Sequence, residues 1–195
     1  YSTVSSFMID DKIGYVRITQ FIDNTDELFE KAVEKLKKEG MQALMIDVRS
    51  DPGGMLTSVV SICDYLLPEG TIVSIKDKNG KVEEEYKSTD EQSLDMPMVV
   101  LTNEYSASAS EILTSALKEF KAATVVGTNT YGKGIVQSVI PLGDGTAIKL
   151  TTQKYFTHDG NDIHKKGVAP DIEVELPDDY TYKDFQGKND SQYQK

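Results

Sequence analysis

Apolar residues recur along this chain with two different periods. Residues 3–8 and 13–21 (the second IGYVRITQF) are rich in β-branched and aromatic residues. The turn residues Asp10, Asp11 and Lys12 lie between them, and the pattern predicts two strands. From residue 24 to 39 the period becomes helical. Leu28, Phe29, Ala32, Val33 and Leu36 share one face, Asn24 and Glu27 are placed for a capping box, and Gly40 supplies the stop. Residues 43–48 (ALMIDV) form an unbroken apolar run of the kind found in strands buried on both faces. DPGG follows at 51–54, then a helix over about 55–67 and strands at 71–76 and 82–87. Residues 97–103 (PMVVLTN) read as a second buried strand. A helix over about 108–122 follows, with Ile112, Leu113, Ala116, Leu117 and Phe120 inward, and then a third buried strand at 123–128. Residues 135–156 read as strand, Gly-rich turn (GDGT) and strand. The closing stretch, QGKNDSQYQK, is polar and expected to fray.

The middle of the chain therefore alternates strand, helix, strand, helix, strand. That order predicts an α/β fold with a mainly parallel central sheet, helices packed on it, and β-rich segments at both ends. The length of 195 residues suits one domain with a sizeable core, and 38% hydrophobic residues can fill it. A net charge of −11 argues against nucleic acid as a partner, because phosphate backbones require clustered Lys and Arg. There is no apolar run of 18 residues to span a membrane. A chain that starts at Tyr1 with no basic-then-apolar leader is expected to be a processed or excised piece of something longer. The single cysteine, Cys63, lies in the apolar run SVVSICDYLL and reads as a small buried hydrophobe.

The chemistry begins with GTNTYGKG at 127–134. Its spacing resembles a phosphate-binding loop, but such a loop ends in Gly-Lys-Ser or Gly-Lys-Thr and opens a helix. Here Gly134 follows Lys133, and the β-branched run IVQSVIPL continues as a strand. No helix N-terminus would face a phosphate. Lys133 instead sits among the uncharged residues Tyr131, Gly132, Gly134, Ile135 and Val136. Such a setting favours a neutral lysine, and a neutral lysine can take a proton from a serine. The alternative is a surface lysine in a glycine turn.

A serine for that base comes from NEYSASASEILTSAL. It places Ser106, Ser108 and Ser110 where a buried strand hands over to a helix, beside helix-terminal N–H groups that suit a developing oxyanion. The competing reading is structural, since Ser108-x-x-Glu111 is a capping box. A Ser-His-Asp triad is disfavoured. The two histidines, His158 and His164, lie in the polar stretch THDGNDIHKK, no G-x-S-x-G elbow is present, and their spacing does not suit a metal site.

Taken in order, IDVRSDPGG, SASASEI, GKGIVQ and KGVAPDIEVEL give a chain that resembles the tail-specific, or carboxy-terminal processing, serine proteases over residues 4–176. The resemblance implies a Clp-protease/crotonase-like core over residues 1–178, with 179–195 as a polar C-terminal extension. It implies a serine endopeptidase that cleaves unfolded or C-terminally exposed protein chains through an acyl-enzyme, with no metal or organic cofactor. Ser108 would be the nucleophile, Lys133 the general base and Gln137 its orienting partner. The backbone N–H of Ala109 and one from the Gly53–Gly54 pair would form the oxyanion hole, where glycine lets the backbone approach the substrate. An extracytoplasmic location is implied as well.

Two departures stand out. Asp51 occupies a place where the family usually has asparagine, and a charge turned inward there would oppose an oxyanion. Family members also carry a PDZ domain ahead of the core, which binds a substrate's carboxyl terminus by strand addition, and residues 1–23 are too few for one. The expectation is a core excised from a longer protein with a PDZ domain. The alternative is a silent peptide- or cell-wall-binding module on the same core. Asp47 and Arg49 are expected to form ion pairs at the end of a buried strand.

Overall fold

The two apolar periods resolve into two sheets and three long helices. The computed structural model describes residues 2–89, 94–177, 179–180, 186 and 190–195. The main sheet takes β1 (Val4–Ile9), β2 (Ile13–Ile18), β3 (Ala43–Asp47), β6 (Met98–Thr102), β7 (Ala123–Gly127) and β10 (Ile172–Glu173), in that spatial order. β1 pairs antiparallel with β2 across the Asp10–Lys12 turn, and every later pairing in this sheet is parallel. The second sheet is antiparallel. It orders β5 (Val82–Ser88), β4 (Gly70–Lys76), β9 (Ala147–Phe156) and β8 (Ile135–Pro141). The two-residue strand β10 carries no periodic signal of its own. It exists because Ile172 and Glu173 find the free edge of β7.

The helices are α1 (Thr25–Lys38), α2 (Leu56–Leu66) and α3 (Ala109–Glu119), with a short C-terminal turn α4 (Ser191–Gln194). One continuous core joins alternate residues of the main sheet (Val16 and Ile18, Leu44 and Ile46, Met98 and Val100) to Phe29 and Leu36 of α1, Val59 and Ile62 of α2, and Leu113 and Leu117 of α3. Cys63 belongs to that core, and burial pushes its thiol well above the ordinary range. Helix α1 ends as expected, with Gly40 at φ 97° and the Met41 N–H returning to Leu36 O. Its start differs from expectation. Asn24 makes no side-chain cap. Thr25 does the work from inside the first turn, accepting from the Ile22 N–H at 3.0 Å and donating to Gln20 O at 3.1 Å. The buried contact with Thr3, at 2.8 Å between hydroxyls, makes the difference, because it ties the helix start to the β1 end of the chain.

The expectation of a frayed end fails for residues 190–194. Asp190 and Gln192 are buried. Arg49 Nη1 donates to Asp190 Oδ1 at 2.6 Å, Gln192 Nε2 donates to Val174 O at 2.8 Å, and the Tyr193 ring stands edge-on against Tyr15. Composition alone could not reveal this. A polar tail docks when it meets a buried guanidinium with donors to spare. Asp47 takes the other side of Arg49, accepting from Nε at 3.0 Å and Nη2 at 2.6 Å, and the Tyr15 hydroxyl donates to Asp47 at 2.6 Å. The expected Asp47–Arg49 ion pair is thus present, and it extends to the tail. Burial opposes the charge on Asp190, yet Arg49 and the Gln186 N–H hold its carboxyl below the usual range. Burial, with Asp47 beside it, pushes the Tyr15 hydroxyl up.

Candidate active site

Parallel strands that are neighbours in a sheet place their C-terminal loops side by side, and ligands bind in the crevice there. β3, β6 and β7 are such neighbours. The loop after β3 carries Asp51-Pro52-Gly53-Gly54. The loop after β6 leads through Asn103 and Ser106 to Ser108, and the loop after β7 leads through Thr130 to Lys133. The fold therefore brings together three segments widely separated in sequence.

Side chains then fasten the loops to one another. The Ser50 N–H donates to Asn103 Oδ1 at 2.8 Å, and Asn103 Nδ2 donates to Ser50 Oγ at 3.0 Å. The Ala107 N–H donates to Asp51 O at 3.0 Å, and the Tyr131 N–H to Ser106 O at 3.0 Å. The three serines of SASAS separate by environment. Ser106 and Ser110 are fully buried, and their hydroxyls donate to backbone carbonyls, Val48 O at 2.8 Å and Asp51 O at 3.0 Å. Ser108 is only partly buried and sits at the N-cap of α3 with φ 59° and ψ −112°. A non-glycine residue held there carries strain of about 1–3 kcal/mol, which the surrounding structure must offset. Two serines brace the loop, and the strained one is left partly exposed.

Glu111 joins the second and third loops. It forms the expected capping box with Ser108, and its side chain reaches further. Oε2 accepts from the Ser108 N–H at 2.9 Å and from the Lys133 N–H at 2.8 Å. Oε1 accepts from the Gly132 N–H at 2.6 Å and the Thr130 hydroxyl at 2.6 Å. Thr130 Oγ1 in turn accepts from the Val168 N–H at 2.7 Å. A single fully buried carboxylate thus fixes the backbones of Ser108 and Lys133 to one oxygen atom. The sequence reading took Glu111 only as a helix cap. The missed signal is its place in ASEILTSAL, a stretch otherwise apolar or small and buried from Ala109 to Leu117. A carboxylate inside such a helix needs several donors, and they must come from another loop.

Gly53 and Gly54 divide their roles. The Gly53 N–H donates to Asp51 Oδ1 at 2.8 Å, so that donor is engaged. Gly53 has φ 93°, and a Cβ there would fall 2.5 Å from Ala107 O, 2.8 Å from the Ala109 nitrogen and 2.8 Å from Ser108 Cβ. The backbone of the β3 loop therefore lies directly against the Ser108–Ala109 peptide, which only glycine permits. Among the described residues, the N–H groups of Gly54 and Ala109 donate to no protein acceptor. Gly54 is exposed, and its backbone is held by Phe21, whose carbonyl receives the Met55 N–H at 2.9 Å.

Lys133 is half-buried, and Gln137 lies exposed on β8. The pairing of β8 with β9 shifts register between Val136 and Gln137. Among the described residues no hydrogen bond joins Lys133 Nζ to Gln137 or to Ser108 Oγ. The structure brings the backbones of Ser108 and Lys133 together on Glu111. The histidines stand apart. His158 packs on Phe120 with ring centroids 4.1 Å apart and pairs with Thr71 O at 2.8 Å. The backbone N–H of His164 donates to Asp162 Oδ1 at 2.9 Å. Asp51 points inward. Burial pushes its carboxyl up to about 7, against the pull of the Gly53 N–H.

With this geometry in place, likeness to known proteins is informative. The profile of Peptidase family S41 matches residues 12–174. The chain is 41% identical over 165 residues to a carboxyl-terminal-processing protease of Synechocystis sp., an alignment covering 85% of this chain and 38% of that protein. It is 44% identical over 167 residues to the carboxy-terminal processing protease CtpB of Bacillus subtilis, covering 85% and 35%. Among solved structures it resembles a photosystem II D1 C-terminal processing protease with a TM-score of 0.80 and 37% identity, over 85% of this chain and 44% of that one. The tricorn protease shares the fold at a TM-score of 0.60 and 22% identity. The chain thus spans less than half the length of these curated relatives.

Proposed function

Since the chain belongs to peptidase family S41, we propose that it is the core of a serine endopeptidase of the carboxy-terminal processing type, acting through Ser108 and Lys133. The observation that carries this reading is the Glu111 carboxylate, which accepts from the N–H groups of Ser108 and Lys133 with the same oxygen. A cap alone does not require the second bond.

In this mechanism Ser108 Oγ attacks the scissile carbonyl while neutral Lys133 Nζ takes its proton. The oxyanion forms against the N–H groups of Ala109 and Gly54, two loop donors that no protein acceptor uses among the described residues. Gly53 is the spacer that lets Gly54 come close. Lys133 then gives its proton to the leaving amine, the peptide bond breaks, and an acyl-enzyme on Ser108 remains. Water, deprotonated by the same lysine, attacks the ester and releases the new carboxyl terminus. Gln137, four residues beyond Lys133 on β8, orients the amine once substrate is present; catalytic contacts often tighten only in the complex. The chemistry calls on no metal or organic cofactor.

The substrate class is an unfolded or tail-exposed protein chain; the names of the relatives speak of carboxyl-terminal processing. Recognition of the substrate's carboxyl terminus is assigned to a PDZ domain of the full-length protein, and its working location is extracytoplasmic. The assay is cleavage of a permanently unfolded protein by this chain and its Ser108→Ala form. Cleavage that disappears in Ser108→Ala supports the reading. Equal cleavage by both contradicts it. Binding without cleavage in both would favour the silent peptide- or cell-wall-binding module.

Gly53→Ala offers a second check. The new Cβ meets backbone and the nucleophile itself, none of which is the flexible end of a side chain. The expected result is a loss of about 1–3 kcal/mol in stability, with cleavage reduced at least about tenfold because the oxyanion donors move apart. Denaturant titration and steady-state kinetics read the two effects separately.

A further inference from the structure

The mechanism above leaves one buried group beside the site unused. Asp51 is completely buried, directly before the Pro52-Gly53-Gly54 turn. Its Oδ1 accepts from the Gly53 N–H at 2.8 Å, while among the described residues Oδ2 has no hydrogen-bond partner. Its carbonyl receives both the Ala107 N–H and the Ser110 hydroxyl, each at 3.0 Å. Asp51 therefore touches the oxyanion loop through its side chain and the nucleophile loop through its backbone. One side-chain oxygen is buried without a hydrogen bond among the described residues.

We propose that Asp51 is a positioning residue of the oxyanion hole that works as a neutral carboxylic acid, and that the site loses activity when a negative charge resides there. The inference rests on the proteolytic reading of Ser108 and Lys133. A buried carboxylate with an unpartnered oxygen is costly, whereas a lone buried O–H costs much less. An anion at this position would also repel the developing oxyanion through a poorly screened interior. The surrounding groups give it little relief. Arg17 on β2 favours the charged form, without supplying the missing bond to Oδ2. Arg49, two residues earlier, is committed to Asp47 and Asp190. From α3 comes the Ser110 hydroxyl, which donates to the Asp51 carbonyl and also favours the charged carboxyl, though less than burial opposes it. Burial, with the titration of Asp51 raised to about 7, agrees with this arrangement.

The consequence is a loss of activity above neutrality that Lys133 chemistry by itself does not produce, because a lysine base improves as pH rises. The test is the rate at which a small fluorophosphonate labels Ser108, measured from pH 5 to 10 in the wild-type chain and in Asp51→Asn. Asparagine keeps the shape and the bond to the Gly53 N–H but cannot ionise. The expected ratio of Asp51→Asn to wild type is near one at pH 5 and rises to about tenfold or more by pH 9. Denaturation midpoints give an independent readout. An acid whose folded-state titration is raised above its unfolded value loses stability as pH climbs from the ordinary carboxylate range to about 7, and loses no more beyond it. Wild type should show that fall and Asp51→Asn should not. A labelling ratio that stays constant with pH would overturn the inference while leaving the protease reading intact. Absence of labelling at every pH in both proteins would overturn both.

Discussion

Lys133→Ala is expected to lower cleavage of an unfolded protein by about 10²–10⁴-fold while leaving the fold intact, as read by unchanged circular dichroism and denaturation midpoint. The size follows from the role proposed for the residue, since among the described residues no histidine or other lysine side chain is bonded to the Ser108 or Lys133 loops. The carboxylate that faces it, Glu111, already accepts from four donors, and the histidines lie elsewhere. Fold stability should change little, because Lys133 is tied down by its backbone N–H, which alanine retains. Lys133→Arg sharpens the test. A guanidinium stays protonated throughout the working range, so it keeps the charge and loses the base. Arginine should be as inactive as alanine. Recovery with arginine would mean that Lys133 supplies charge alone, and the base would have to be sought elsewhere.

Glu111→Ala carries the second large effect, and here stability and activity should fall together. Three backbone N–H groups and one hydroxyl lose their acceptor in a dry interior. The expected cost is about 3–5 kcal/mol. A helix cap by itself would cost about 1 kcal/mol. The two magnitudes separate a cap from a two-loop fastener, and a denaturant titration decides between them. Glu111→Gln should not rescue fully. Each carboxylate oxygen receives two donors, so a rotated amide always turns its NH₂ toward donors. Residual Ser108 labelling in Glu111→Gln should be lower than its stability loss explains, because Ser108 and Lys133 no longer share an anchor. A Gln variant with wild-type stability and labelling would show that the carboxylate is dispensable.

Local patterning made much of this molecule legible. The buried strands at 43–48, 97–103 and 123–128 announced themselves as apolar runs, and the helices between them as periodic faces. A parallel sheet follows from that alternation, and with it the crevice beyond the strand ends. Other parts depend on distant partners and left no local trace. β10 is two residues long and exists only against β7. Asp190 looked like part of a solvated tail until Arg49, 141 residues earlier, appeared beneath it. At α1 the capping-box pattern named Asn24, but a buried hydroxyl contact to Thr3 gave the role to Thr25. In the site, the family resemblance pointed to Ser108, Lys133 and the glycine pair. It could not say that Gly53 spends its N–H on Asp51, nor that Asp51 turns inward. Both facts depend on how three loops meet, which spacing in the sequence does not encode.

The claim at the centre of this account is that Ser108, alone among the serines of SASAS, is a nucleophile activated by Lys133. The most direct measurement is peptide mapping of the chain after brief reaction with a fluorophosphonate at saturating concentration. The account predicts a single adduct on Ser108, none in Ser108→Ala, and labelling slowed at least about 10²-fold in Lys133→Ala. An adduct on Ser106 or Ser110, or equal labelling of the wild-type and Lys133→Ala chains, would contradict it.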